Sequence, residues 1–342
     1  MVLVTGATGH IGNVLVKYLV ESGETVRALY APGDNPSSLA GLSIDRREVD
    51  ILDAEAVRSA IEGVDTVYHL AGLISILPFY QKRVYEINVG GTENIIRACQ
   101  EKHVRRLVYV SSIHAFEDKK RTEKMDERCA IDPAKTSGSY GKSKAMATLK
   151  VEEAIRQGLN AIIVCPTGVI GPYDYKLSEL GRLFIDVAKG SMPFCVHGTF
   201  DFVDVQDVAK GIMLAAQKGR TGERYILGGT QIEINDLIAL IEEAAGTRQK
   251  RTFIPISIAY FASFFTSIHA LLWKTKPRFT TYSIETVNMW NTYSHEKASR
   301  EIGYYPRPIE KTVEETLDWL RQEGYLPARK PATPDVASYD KG

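Results

Sequence analysis

Three glycines at positions 6, 9 and 12 stand between an apolar run, Val2 to Val4, and a helical apolar pattern made by Ile11, Val14, Leu15, Tyr18 and Leu19. Strand, tight turn and helix in immediate succession predict an α/β fold, because each glycine has its own task in that arrangement. Gly6 makes the turn, Gly9 lets backbone approach a diphosphate, and Gly12 lets the helix pack closely on the strand. The amino terminus of the helix then presents unpaired N–H groups and a partial positive charge to an anion. The three-and-three spacing differs from the commoner G-x-G-x-x-G fingerprint, so the flanking strand and helix carry the argument.

The rest of the chain repeats the alternation. Strands are expected at Thr25 to Tyr30, Val49 to Ile51, Val64 to Leu70, Leu107 to Val110 and Ala161 to Cys165. Helices are expected at Ala54 to Ile61 with Asp53 as its cap, Tyr80 to Gln100, and Tyr140 to Arg156. This rhythm predicts a Rossmann-type doubly wound parallel sheet with its ligand site at the carboxyl ends of the strands. Beyond Pro166 the rhythm loosens. Gly171 to Tyr175 reads as a loop and Leu177 to Lys189 as a helix. Asp201 to Asp207 reads as a strand and helix entry, Arg224 to Leu227 as a strand, and Ile234 to Ala245 as a helix. The expected division is a dinucleotide-binding domain at 1–166 with later contributions from about 201–228. A smaller substrate-binding lobe would come from 167–200 and 229–326, followed by a frayed tail at 327–342.

Composition excludes several functions. Lys plus Arg and Asp plus Glu both number 42, so no net field gathers nucleic acid. Four scattered cysteines, Cys99, Cys129, Cys165 and Cys195, and seven histidines show no metal-ligand spacing; reduced thiols and no metal are expected. The first strand begins at residue 2, which leaves no room for a signal peptide and points to a cytoplasmic protein. The apolar stretch 254–273 approaches the length of a membrane span, but Pro255 and several hydroxyl residues interrupt it. A buried helix is expected there, with contact at a membrane surface as the alternative.

Chemistry is expected at Ser139-Tyr140-Gly141-Lys142-Ser143-Lys144. Tyr140 and Lys144 lie four apart and share one helix face. A phenol titrating near pH ~10 is a poor acid–base catalyst at neutral pH, and a nearby ammonium favours its phenolate, so Lys144 is expected to lower the pKa of Tyr140. Ser112, just past a buried strand, would stand at the same sheet edge. A hydroxyl and a phenol converging on one oxygen polarise a carbonyl or take a proton from an alcohol. A plain turn or cap role for Ser111 or Ser112 is the competing reading.

These stretches, with His69-Leu70-Ala71, Asn88-Val89-Gly90-Gly91-Thr92 and Ser111-Ser112, resemble the extended short-chain dehydrogenase/reductases of the NAD-dependent epimerase/dehydratase type from residue 1 to about 325. Within that superfamily the chain is most similar to dihydroflavonol-reductase-like and hopanoid-associated sugar epimerase-like proteins, an impression strengthened by Gly168 to Pro172 and Tyr225 to Gly229. The resemblance implies Tyr140 as acid/base, Lys144 on the nicotinamide ribose, and Ser112 holding the substrate oxygen. It implies a nicotinamide dinucleotide lined by Gly6, Thr8, Gly9, His10, Ile11, Gly12, Tyr30, Asp50, Ile51, Leu70, Ala71, Gly72 and Pro166, together with Tyr140 and Lys144. It also implies a small carbonyl or alcohol substrate, and a homodimer formed through the helices at about 80 to 100 and 140 to 156. Two departures matter. The second strand ends in Tyr30 and Ala31, without the acid of NAD-preferring relatives or the Arg of NADP-preferring ones, which favours NADP over NAD. Phe200 stands before Asp201-Phe202-Val203 where nucleotide-sugar epimerases commonly carry Arg, which favours an uncharged substrate; Phe200 as plain core, with another base such as Arg278 in place of the Arg, is the competing reading. The expected activity is reduction of a ketone or aldehyde. A sugar epimerase or dehydratase and a non-catalytic nucleotide sensor are the alternatives.

Overall fold

The structure is a computed structural model that describes residues 1–74, 81–119, 123–258 and 291–328. Its first half runs β1 (Val2–Thr5), α1 (His10–Glu21), β2 (Val26–Tyr30), β3 (Asp45–Glu48), α2 (Ala54–Ala60) and β4 (Thr66–His69). Then come α3 (Gln81–Tyr85), α4 (Thr92–Glu101), β5 (Arg106–Val110), a short β6 (Lys124–Met125), α5 (Gly138–Arg156) and β7 (Ala161–Pro166). The second half adds β8 (Gly168–Ile170), α6 (Glu179–Ala188), β9 (Phe194–Cys195), β10 (Thr199–Asp204), α7 (Val205–Lys218), β11 (Arg224–Leu227), β12 (Thr230–Glu233) and α8 (Ile234–Ala245). Two further helices, Glu296–Ile302 and Ile309–Gln322, follow.

The main sheet has seven strands in the order β11-β7-β5-β4-β1-β2-β3, every neighbouring pair parallel. Parallel strands need both faces covered, and the side chains show it residue by residue. Leu3, Leu107 and Ile163 point into one core with Val57, Ile95 and Val151. Their neighbours Val4, Val108 and Val164 point into the other with Val14, Leu15, Val208 and Ile212. Chain order reverses between β1 and β4, and that crevice at the carboxyl ends is where ligands of this architecture sit. Beside it, a three-stranded sheet, β12-β10-β8, supports α6 and α8 through Phe184, Phe202, Ile238 and Leu317.

Two sequence expectations change. The third strand is Asp45–Glu48, earlier than Val49 to Ile51, because Asp50 turns the chain by accepting the amide of Leu52 at 3.0 Å. Tyr80 to Gln100 is not one α-helix: a π-helical turn over Glu86–Gly91 separates α3 from α4. The Asp53 cap is as expected, its carboxylate accepting the amides of Glu55 and Ala56. All four cysteines are buried and unpaired. Most of 254–273 and nearly all of the tail lie outside the described residues; among those described, no helix is long and apolar enough to cross a membrane.

Candidate active site

The glycine turn is built as its sequence requires. Gly6 has φ +67°, a left-handed conformation that favours glycine. A Cβ on Gly12 would lie 2.1 Å from the Gly6 carbonyl oxygen, so only glycine lets α1 begin there. Helix α1 starts without a side-chain cap and without an acid in its first turn. Its free N–H groups therefore face outward beside a bare backbone, which is the donor set a diphosphate needs. The residues present fit a dinucleotide at this turn.

Across the crevice, β4 delivers Leu70, Ala71 and Gly72. Thr5 Oγ1 accepts the amides of Leu70 (3.2 Å) and Ala71 (3.0 Å), so its own proton goes to His69 Nδ1 at 2.8 Å. That donor count leaves the His69 Nε2–H for Thr92 Oγ1 at 3.0 Å, and the Thr92 hydroxyl donates to the Asn88 carbonyl at 2.6 Å. Burial holds His69 neutral, its pKa pushed down to about 3. Asn88 continues the line: its side chain accepts Leu73 N at 2.7 Å and donates to Leu73 O (3.1 Å) and to Ser143 Oγ (2.9 Å) on α5. Sequence reading quoted His69 and Asn88 as parts of motifs without giving either a task. Their work is done through contacts across 15 to 64 positions, which no local pattern reveals.

Ser112, Tyr140 and Lys144 are all buried, exposed by 7, 8 and 5%. Ser111 is the structural one of the serine pair, its hydroxyl bonded to Thr148 on α5 at 2.7 Å. Ser112 combines both readings: it caps a short turn by accepting the amide of His114 at 3.2 Å, and its hydroxyl lies near enough to the Tyr140 phenol to favour the phenolate. Gly141 follows Tyr140 because a Cβ there would lie 2.7 Å from the carbonyl oxygen of His114, so α5 presses against that turn and fixes the phenol. A Cβ at Gly72 would lie 3.1 Å from Asn88 Oδ1, tighter than ordinary contact, and 3.5 Å from Lys144 Nζ.

The electrostatics depart from expectation. Burial pushes the Tyr140 phenol up to about 12, with only the Ser112 hydroxyl pulling it down. Lys144 does not lower it here, because its ammonium is turned to the carbonyl of Val110 (2.8 Å) and lies 5.1 Å from the centre of the Tyr109 ring. Burial takes Lys144 itself down to about 8. The phenol therefore holds its proton at neutral pH, as a proton donor must.

The flank of the turn beside β2 adds a group that the last residues of that strand do not show. Tyr30 closes β2 and Asp50 and Ile51 follow β3, while Pro166 closes β7 on the opposite side of the crevice. A carboxylate is nonetheless present: Asp34, on the loop after β2, accepts the hydroxyl of Thr8 at 2.8 Å and the ammonium of Lys176 at 2.8 Å. His10 reaches the carbonyl of Pro172 at 2.9 Å, so it joins the turn to the 171–177 loop. No group of three or more metal-ligating side chains occurs among the described residues.

The pattern of the NAD dependent epimerase/dehydratase family matches residues 2–228. The chain belongs to that family. It is 32% identical over 327 residues to sterol demethylase protein B of Methylococcus capsulatus, covering 95% of this chain and 99% of that protein. A putative dihydroflavonol 4-reductase of Synechocystis is 30% identical, with 94% and 95% covered. The crystal structure of gox2253 superimposes with a TM-score of 0.83 at 32% identity over 95% of this chain and 99% of that one. This chain is thus an extended short-chain dehydrogenase/reductase, a nicotinamide-dinucleotide oxidoreductase acting on small molecules.

Proposed function

We propose that this member of the NAD dependent epimerase/dehydratase family is a carbonyl reductase in which Tyr140 protonates the substrate oxygen. The observation that carries the reading is the placing of two buried hydroxyl groups, Ser112 just past the carboxyl end of β5 and Tyr140 on the first turn of α5, beside the crevice that ends at the glycine turn. The bound dinucleotide supplies the hydride; the other tasks fall to the chain. Ser112 holds the carbonyl oxygen, Tyr140 gives it a proton, and Lys144 keeps a positive charge below about pH 8 beside the crevice. With that hydride on the carbonyl carbon, the Tyr140 proton on the oxygen would complete the conversion of a ketone or aldehyde to an alcohol.

An uncharged substrate is supported by the wall next to the phenol. His114 meets Tyr140 edge-on at 6.1 Å and stacks on Phe200 at 6.1 Å with the rings 17° apart. Burial holds His114 neutral, with its pKa down at about 4. Among the described residues His114 and Phe200 bring no fixed cation to this wall, which favours an uncharged substrate over a nucleotide diphosphate; Arg278 lies outside the described residues. The relatives named for dihydroflavonol 4-reductase agree with a reductase. Assembly as a homodimer through α4 and α5 belongs to the same reading, and Met146 on α5 is 38% exposed.

The test is Tyr140→Phe assayed on an accepted carbonyl compound. Removal of a positioned proton donor costs roughly 10²- to 10⁴-fold in turnover, with dinucleotide affinity unchanged. Unchanged turnover removes Tyr140 from the reaction. Interconversion of sugar nucleotides with no net change in NADH would decide for an epimerase.

A further inference from the structure

We infer that Asp34 and Lys176 are an opposed pair that sets the choice between NAD and NADP. The inference rests on the reading that a dinucleotide occupies the glycine turn. Asp34 reaches the turn from the adenosine side, because β2 lies beside β1 on the flank away from β4 and from the Ser112, Tyr140, Lys144 group. It stands 22 residues beyond Gly12. That is about the distance at which folds of this kind bring an acidic residue to the adenosine ribose.

Lys176 reaches the same point from the other half of the chain, on a loop whose backbone is built to hold it there. Tyr173 and Leu177 adopt φ +70° and +47°, a region that non-glycine residues seldom occupy. The loop is tied to α1 by His10 on the Pro172 carbonyl (2.9 Å) and by Asn13 Nδ2 on the Tyr173 carbonyl (3.1 Å). Asp174 closes its far end by accepting the amide of Ser178 at 2.8 Å. The Lys176 ammonium then lies 2.8 Å from Asp34 and 3.2 Å from the Thr8 hydroxyl inside the phosphate turn. Lys176 and Asp34 are exposed by 50 and 32%, so either can turn to a ligand.

The two charges answer to different cofactors. A free ribose 2′-hydroxyl donates to a carboxylate, whereas a 2′-phosphate is repelled by Asp34 and attracted by Lys176. With both present and paired, neither cofactor meets an unopposed charge. The unmodified chain therefore binds NAD and NADP with affinities within about tenfold of each other.

The experiment is calorimetric titration of the full-length, cofactor-free protein with NAD and with NADP, without substrate. Asp34→Asn is expected to move the affinity ratio at least tenfold toward NADP, and Lys176→Met at least tenfold toward NAD, with Lys176→Arg retaining NADP. An exposed ion pair contributes little to stability, so both variants fold. Ratios that stay within twofold, or equal weakening of both cofactors by either variant, reduce the pair to a loop strap and overturn the inference. If the unmodified chain binds both dinucleotides and only the ratios fail to move, the reductase reading stands without the pair. If it binds neither, both fall.

Discussion

The Lys144 ammonium donates to the carbonyl of Val110 at 2.8 Å, so the charge that follows Tyr140 by one helical turn is spent on the sheet edge and not on the phenol. The two groups titrate on opposite sides of their ordinary values: Lys144 down to about 8, Tyr140 up to about 12. Burial disfavours the charged form of each, which is why a cation falls while an acid rises. The pH dependence of reduction follows. Tyr140 stays protonated across the working range, and Lys144 loses its charge above about pH 8. In a profile of kcat/KM, reduction is expected to be level from pH 6 to about 8 and to fall above it; alcohol oxidation, which needs the phenol to accept a proton, is expected to rise with pH. Lys144→Met should remove the descending limb near pH 8. A limb that survives in this variant belongs to another group.

Glycines 9 and 12 separate folding from binding. A Cβ at Gly12 meets backbone oxygen at 2.1 Å, so Gly12→Ala forces α1 off β1 and is expected to cost about 3 kcal/mol in urea unfolding. Gly9 has φ −73°, an ordinary value, and its added Cβ would lie 3.2 Å from the Gly6 oxygen, which a small shift relieves. Gly9→Ala should change stability by under about 1 kcal/mol, since restricting the unfolded chain offsets part of the crowding. Its methyl nevertheless intrudes where the diphosphate approaches. Dinucleotide affinity should fall at least tenfold in a protein that unfolds almost as before; retained affinity would place the diphosphate elsewhere.

What the sequence made legible was whatever local order controls. The turn at residues 6 to 12, the Asp53 cap, β11 and α8 are each specified by residues adjacent in the chain. Ser112, Tyr140 and Lys144 were also legible, because four-residue spacing on a helix and a position just past a buried strand fix where side chains lie. The tasks of Asp34, Lys176, His69 and Asn88 were not. Asp34 meets Lys176 across 142 positions, and Asn88 meets Ser143 across 55. The direction of the Lys144 side chain was equally hidden, since spacing puts two residues on one face without saying which acceptor the ammonium prefers. The π-helical turn at Glu86–Gly91 was also hidden; in it a Cβ on Gly91 would lie 2.4 Å from Ile51 Cδ1, a close approach of two segments far apart in the chain.

Stability should decline in mild acid. His69 and His114 are held neutral down to about 3 and about 4, while in the unfolded chain each takes a proton near 6.5. Between pH 6.5 and 4 the unfolded state therefore binds more protons, and stability drops as pH falls, by up to roughly 1.4 kcal/mol per pH unit for each histidine. Thermal unfolding followed from pH 7 to pH 4 is expected to show a steep fall in Tm. His69→Gln, which preserves an acceptor and a donor, should flatten that fall. An unchanged slope would mean that His114 or carboxylates, not His69, govern acid unfolding.

Asn88 joins the segment after β4 to the helix that carries the phenol, and replacing one atom tests it. Ser143 accepts from Asn88 at 2.9 Å and donates to the Tyr140 carbonyl at 2.7 Å, so the side chain bears on the first turn of α5 at the residue that does the chemistry. Asn88→Asp keeps the shape but cannot donate to Leu73 O or to Ser143, and at a 1%-exposed site it buries a charge. Leaving buried partners unsatisfied costs roughly 1–3 kcal/mol, more with a charge involved, so unfolding should begin at lower denaturant. A brace acting only on the fold would weaken dinucleotide binding and turnover together. One that sets the phenol should lower kcat at least tenfold while the Kd for NAD, held at the glycine turn on the other side of the crevice, moves less than twofold. Steady-state kinetics and titration on the same preparation distinguish the two, and equal losses in both would make Asn88 a structural residue alone.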